Sequence, residues 1–293
     1  MKSHLTKCKQ IMNEPPVICF LLDEQRDCPG RRRDIAVIRD TFPAAGIQYI
    51  ILSESVTGEV LPEGRLVLTD SGAALRRLRA AGIPAVGYLH EGSRGEDFTG
   101  AAYLIEEPQE LDPDSFLKIF QRLTGQPWTI AATDRLWIRE QTVDDLDGLY
   151  ELYDDPAARR FLEPLSRDRE EEAQILKAYM EKVYGLLGYG MWAVCDRESG
   201  ELIGRMGFAP YSGRQEAAQF GYLIRADVRR RGLAAEAAGA VLAFADRELE
   251  FPAIGAQTAS DNAASAALLR RLGFTLQSED NGTQYFIRER KQT

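Results

Sequence analysis

The sequence predicts two domains of different class: an N-terminal α/β domain with a parallel sheet, and a C-terminal α+β domain with a mixed, mostly antiparallel sheet. Three observations predict it. The chain has 293 residues, more than the roughly 100–200 of a usual single domain. Between 17 and 122, short apolar runs bounded by Gly, Pro and Asp alternate with helical stretches, the rhythm of strands joined by crossover helices. Beyond 130 that rhythm gives way to extended runs joined by turn residues, with helices inserted between them.

In the first part, VICFLL, IQYIIL, RLVLT, PAVGYL and AAYLI read as strands, while RRDIAVIRDTF, GAALRRLRAAG and DSFLKIFQRL read as helices. The segment TGQPWTIAATDR, 124–135, carries Gly, Pro and polar residues between periodic stretches and is taken as the boundary, giving domains 1–125 and 130–293. LWIREQ then reads as a strand. Thr142 with Asp145 marks a capped helix start, and Leu146, Leu149, Tyr150 and Tyr153 form that helix's apolar face. RDREEEAQILKAYMEKVYGLL is a second helix, acidic at its start as the helix dipole favours. MWAVCDRESGELIGRMGFAPY and EAAQFGYLIR form a meander of strands, with ESGE as a hairpin turn. A helix from Leu233 to Leu249 places Ala234, Ala238, Val241, Ala245 and Leu249 on one face. AIGAQTA is a strand, NAASAALLRRL a helix, and FTLQS with QYFIRER a closing strand pair.

Composition excludes several classes. Thirty-six basic residues against 45 acidic ones give a net charge of -9, which argues against a nucleic-acid binder held by a broad positive field. The four cysteines and two histidines show no zinc spacing, and no metal is expected. No stretch reaches the roughly 18 apolar residues of a membrane helix, and the N-terminus has no signal-peptide core. A cytoplasmic protein with reduced thiols is expected.

The stretch VRRRGLAAEA, 228–237, places Arg229, Arg230 and Arg231 before Gly232 and a helix. The first four N–H groups of a helix lack internal partners and the dipole adds positive charge, so a strand–turn–glycine–helix junction is suited to a phosphate. Taken alone, the pattern is also that of a plain helix entry. A second triplet, Arg31 to Arg33, has no glycine behind it and reads as a solvated basic cluster.

With the surrounding elements, residues 134–290 resemble the GNAT superfamily of N-acetyltransferases, closest to its ribosomal-protein N-terminal acetyltransferase branch. LWIREQTVDDLDGLYELYDDPAARRFLEPL, QFGYLIRADVRRRGLAAEA, DNAASAALLRRLGF and QYFIRER carry the likeness in order. The resemblance implies acetyl-CoA as co-substrate. It implies that the turn Arg229, Arg230, Arg231, Gly232, Leu233 and Ala234 cradles the pyrophosphate, and that the strand end Leu223, Ile224 and Arg225 pairs with the pantetheine arm. Asn262 would hydrogen-bond that arm or serve as a helix cap.

The resemblance implies direct attack of a primary amine on the thioester in a ternary complex. The acceptor is a protein N-terminus or a small-molecule amine, with no membrane and no nucleic acid as partner. Such a transfer needs placement, a donor at the developing oxyanion, a proton sink for the amine and a proton for sulfur. At the place where many members carry a tyrosine beside the leaving sulfur stands Leu269, so Ser265 and Tyr285 are the candidate acids. Gln219 fills the usual place of a glutamate base, and Glu216 lies nearby. Tyr153, Arg160, Phe161 and Tyr222 are the candidate substrate contacts. The alternative is a catalytically lapsed CoA-binding regulator or scaffold.

Residues 66–111 resemble the closing segment of haloacid dehalogenase-like (HAD) domains. Asp70 would match an aspartate that helps hold magnesium there, and Asp23 the first of a catalytic pair. Gln25 fills the second place and no lysine occurs from 10 to 117. A degenerate, non-catalytic domain is expected, with any ligand at the strand ends near Asp23, Ser53 and Asp70.

Overall fold

The computed structural model describes residues 15–54, 61, 63–156, 164–210 and 217–290. The chain divides into two compact units, with the break between Trp128 and Thr129.

In the N-terminal unit the order is β1 (Val17–Leu22), α1 (Pro29–Ala44), β2 (Tyr49–Ser53), β3 (Arg65–Thr69), α2 (Gly72–Ala80), β4 (Ala85–Tyr88), β5 (Leu104–Ile105) and α3 (Pro113–Thr124). The strands form one sheet in the order β2-β1-β3-β4-β5, every pair parallel. Side chains alternate across a strand, so β1 feeds two cores. Ile18, Phe20 and Leu22 pack with Ile38 and Phe42 of α1 and Phe116 and Phe120 of α3. Cys19 joins Leu75 and Leu78 of α2 on the other face. Burial on both faces explains why these strands are continuous apolar runs.

The C-terminal unit contains β6 (Thr129–Ala132), β7 (Leu136–Arg139), α4 (Leu146–Tyr153), α5 (Arg169–Tyr179), β8 (Met191–Asp196), β9 (Leu202–Pro210), β10 (Ala217–Ile224), α6 (Leu233–Phe244), β11 (Ala253–Ala259), α7 (Ala263–Arg271), β12 (Thr275–Asp280) and β13 (Thr283–Glu289). Its eight strands run in the order β12-β13-β11-β10-β9-β8-β7-β6. All neighbours are antiparallel except β10 and β11, which are parallel. Helices α4 and α5 cover one face, where Leu146, Leu149 and Leu176 meet Ala193, Cys195 and Leu202. On the opposite face Trp192 meets Phe208 and Phe244 edge-on at 5.8 and 5.5 Å.

Three details differ from the expectations. Part of the expected linker is strand β6, paired with β7 through a register shift; at four residues after a Gly–Pro-containing turn it is too short to show a period. The helix read as running from Leu233 to Leu249 changes to a π-helical turn over Ala245–Leu249. The buried residues are Leu233, Ala237, Ala238, Val241, Leu242 and Phe244, with Ala245 of the turn buried as expected, while Ala234 and Leu249 are only half-buried. The helix expected at Thr142 begins as a 3-10 turn, Val143–Asp145, before α4.

That turn is held by a buried ion pair. Arg139 donates from both terminal nitrogens to the two oxygens of Asp145, each at 2.7 Å. Their side chains are only 4 and 6 % exposed. The same carboxylate accepts Thr142 N–H at 2.7 Å, so one aspartate joins the end of β7 to the start of α4.

Candidate active site

The sheet of the C-terminal unit comes apart in its middle. β10 and β11 pair only from Ala217–Ala253 to Phe220–Ala256. Beyond that point β10 stays bonded to β9 as far as Ile224–Gly204, while β11 continues from Gln257 to Ala259 bonded only to β13. The β11-facing backbone groups of residues 221–224 are left without a ladder partner. Peptide groups demand partners, so an open edge inside a sheet is a place for an extended, amide-bearing ligand.

The helix that follows this edge is open as well. Gly232 occupies the N-cap of the 12-residue α6 with φ 81° and supplies no side-chain cap. The first intrahelical bond runs from Glu236 N–H to Gly232 O, so the amides of Leu233, Ala234 and Ala235 precede the ladder. Gly232 suits this place because left-handed backbone is strained for most residues with a Cβ. Arg230 also has positive φ, 62°.

The three arginines have separate surroundings. Arg229 donates from Nε to Ile224 O at 2.9 Å and pairs with Asp155, so it locks the turn to the strand end. Arg230 and Arg231 are exposed, and Arg231 O accepts from Arg135 at 3.1 Å. Arg225 is tied through its side chain to Asp227 and Glu201. Its N–H is bonded to Ile203 O at 2.8 Å.

At the mouth of the splay, Tyr222 O–H donates to Ser265 Oγ at 3.0 Å. Burial raises the Tyr222 hydroxyl against a lowering by Ser265, so the phenol stays protonated. Ser265 lies in the first turn of α7, where its N–H is capped by Asn262 Oδ1 at 3.0 Å. The cap reading of Asn262 is therefore realised. Leu269, 1 % exposed, is a core residue of α7.

Tyr285 does not join this pair. Its neighbour Phe286 lies under Arg270 of α7 at 5.4 Å, and strand alternation turns Tyr285 to the opposite face from α7. Tyr153, at the end of α4, accepts from Arg205 at 2.6 Å. Arg205 also lies over the Tyr179 ring at 5.6 Å. Sequence reasoning passed over Arg205, although a lone arginine inside the apolar run LIGRMGF is itself a signal. Arg160, Phe161 and Glu216 lie outside the described residues.

In the N-terminal unit the likeness to haloacid dehalogenases is corrected to a coarser statement: the domain is an all-parallel α/β sheet. Asp70 is not placed to hold a metal ion. It is fully buried and is occupied by Asp23 N–H at 2.9 Å, Arg31 at 2.7 Å and His90 at 3.1 Å. A guanidinium already stands where a cation would bind. Asp23 is likewise engaged, capping Gln25 N–H and pairing with Arg26. Ser53 donates to Glu24 at 2.9 Å. Among the described residues no cluster of His, Cys, Asp and Glu could hold a metal, and no helix is long and apolar enough to cross a membrane.

Comparison with known proteins agrees with the C-terminal geometry. Residues 135–275 match the acetyltransferase (GNAT) domain family. The chain is 28% identical over 166 residues to the uncharacterized N-acetyltransferase YoaA of Bacillus subtilis, covering 53% of this chain and 92% of that one. Among solved structures, a putative GNAT-family acetyltransferase from Bordetella pertussis is 28% identical, covering 55% of this chain and 98% of that one at a TM-score of 0.46. A ribosomal-protein-S5-alanine acetyltransferase from Vibrio fischeri is 16% identical, covering 55% and 96% at a TM-score of 0.47. The C-terminal half of this chain is thus an acetyltransferase domain of the GNAT family.

Proposed function

We propose that the C-terminal domain transfers the acetyl group of acetyl-CoA to a primary amine, of a protein N-terminus or a small molecule, without a covalent enzyme intermediate. The observation that carries this reading is the open edge of β10 leading directly to the uncapped N-terminus of α6. The edge at residues 221–224 offers amides to the pantetheine arm, and the amides of residues 230–235 offer the pyrophosphate several N–H donors in a positive dipole end. Asn262 Nδ2 is positioned at the same end of α7. When bound, acetyl-CoA supplies an activated acyl thioester.

The chain supplies placement and a proton. Because Tyr222 donates to Ser265 Oγ, the Ser265 hydroxyl hydrogen is free to point elsewhere, and Ser265 is the proposed donor to the departing sulfur. Tyr222 fixes its orientation. No carboxylate is assigned as base on Gln219, and the proton lost by the amine passes to water. Tyr153, with Arg205, lines the acceptor side.

Titration calorimetry with acetyl-CoA and a screen of amines and peptides by free-thiol detection test the reading; absence of binding overturns it. In a working assay, Ser265→Ala is expected to lower kcat by about 100-fold, within the range of a lost general acid, with little change in the affinity for acetyl-CoA. Tyr222→Phe is expected to lower kcat by about 3- to 10-fold, the equivalent of one orienting hydrogen bond. Equal losses in binding and turnover would assign both residues to packing instead. A second reading, a CoA-binding protein without turnover, is favoured by the apolar Leu269 where many relatives carry a tyrosine. Turnover with any amine that is lost on mutation of the CoA site excludes it.

A further inference from the structure

The N-terminal unit carries a thiol array that the acetyltransferase reading does not use. Cys28 stands at the N-cap of the 16-residue α1 and is partly exposed. Its Sγ lies 3.4 Å from His90 Nδ1, and His90 Nε2 lies 3.1 Å from Asp70 Oδ2. The three side chains come from three places, the β1–α1 loop, the end of β3 and the segment after β4. All lie at the carboxyl ends of the strands, beside the β1/β3 point where the strand order reverses and α/β sheets place their ligands.

The hydrogen bonds fix the direction of proton movement. Asp70 is an acceptor held ionised, since the bonds from His90, Asp23 N–H and Arg31 outweigh burial and keep its carboxyl below the usual range. His90 Nε2 therefore carries a hydrogen toward it, and the single lone pair of Nδ1 is shared between Gly92 N–H at 3.0 Å and the Cys28 thiol at 3.4 Å. Nucleophile, base and orienting carboxylate are in hydrogen-bond order. Burial opposes the ionisation of Cys28, but Arg31 N–H, Gly92 N–H and His90 outweigh it and bring the thiol below its ordinary range. The bonds to Asp70 and Cys28 likewise raise His90 against its burial. Once Nδ1 takes the proton, Gly92 N–H is left with the sulfur as its acceptor. Of the neighbouring charges, Arg31 is paired with Asp70 and Asp27 and Arg26 with Asp23 and Glu96, and Tyr88 remains neutral because burial pushes its hydroxyl far up.

The other described thiols are inert by comparison. Cys19 is fully buried and burial pushes it up to about 11, and Cys195 is 1 % exposed.

We propose that Cys28, His90 and Asp70 form a thiolate site at which a hydroperoxide oxidises Cys28 to a sulfenic acid. The Cys28 sulfur attacks one peroxide oxygen, an S–O bond forms and the O–O bond breaks. Sulfur is oxidised by two electrons, and the departing hydroxide takes the proton held on His90 Nδ1 to leave as water (or as an alcohol from an organic peroxide). The donors on Cys28 converge on the sulfur itself, so they stabilise a charged sulfur, which is what this attack requires. Acyl transfer would require donors one bond further out, and Pro29, first in α1, has no N–H to give.

The test uses the full chain carrying Cys8→Ser. Peptide mass spectrometry follows carboxamidomethylation of Cys28 against pH, and sulfenic acid formed by hydrogen peroxide is trapped with dimedone. The wild-type alkylation profile is expected to half-rise at a lower pH than that of a free cysteine, and dimedone adduct to form at Cys28. His90→Gln is expected to move the midpoint up toward that of a free cysteine and to slow both reactions at pH 6 by about 3-fold for each pH unit the midpoint moves, the loss in thiolate less the gain in nucleophilicity. A role for His90 in packing alone would leave the midpoint in place. A wild-type midpoint near 8.5, superimposable profiles for His90→Gln, or no adduct at millimolar peroxide overturns the proposal. Should His90→Gln not fold, the wild-type midpoint and adduct decide.

Discussion

Gly232→Asp is expected to weaken acetyl-CoA binding by at least about 100-fold while lowering the melting temperature less than Gly232→Ala does, because its carboxylate partly offsets the strain of a Cβ at φ 81°. The two effects have one origin. Gly232 is the N-cap of α6 and offers no side chain to its free amides. Aspartate is a preferred N-cap residue, so its carboxylate would satisfy an amide near the start of α6 and complement the dipole. It would then occupy donors proposed for the pyrophosphate and repel the phosphate charge. Each charge-assisted hydrogen bond is worth about 1.5–3 kcal/mol, so losing one or two gives the stated factor. Calorimetry and a thermal melt on the same sample check it. Weaker binding with a matching loss of stability would mean that the turn had merely unfolded. Gly232→Ala adds strain without charge, and its affinity should fall between the two.

The largest stability effect is expected at a residue remote from the chemistry. Asp145→Ala should destabilise the C-terminal unit by roughly 3–5 kcal/mol, the cost of stranding one partner of a buried ion pair. Arg139 would remain 3 % exposed without its bidentate acceptor, and Thr142 N–H would lose its partner. Hydrogen exchange on β7 to β9 measures the change in the unit concerned. Replacing both residues together, Arg139→Met with Asp145→Leu, should recover most of the loss, because a well-packed apolar pair has no charge to desolvate. A cost below about 1 kcal/mol for the single change would show that water reaches the guanidinium.

Much of the architecture was legible because burial leaves a period in the sequence. The five N-terminal strands stood out as apolar runs since both faces of that sheet are covered. β6 did not, being a short edge strand after a turn. The π-helical turn after Phe244 was invisible as well, since nothing in ADREL distinguishes i→i+5 hydrogen bonding from i→i+4. The phosphate turn could be read because Gly232 and the small residues after it leave a mark. The open edge of β10 could not, because pairing depends on where β11 lies and not on the identity of Gly221 to Ile224. The union of Cys28, His90 and Asp70 was equally hidden, as 62 residues separate Cys28 from His90 and only the parallel crossover returns them to one end of the sheet. Where resemblance alone led, at Asp70, the sequence offered a strand-end aspartate and the fold supplied Arg31 as its cation.

The brief pairing of β10 with β11 has a mechanical consequence. A sheet of eight strands is stitched across its middle by four residue positions, reinforced by the stacking of Phe220 on Phe274 at 6.0 Å. On either side lie two much stiffer blades, β6 to β10 and β11 to β13, each laced along its length. The seam is therefore the compliant line of the domain, and a ligand lying along the open edge would lengthen the stitch from within. Such a ligand stiffens the protein by bridging blades whose backbone ladder joins them at one end and which the Tyr222–Ser265 hydrogen bond ties beyond it.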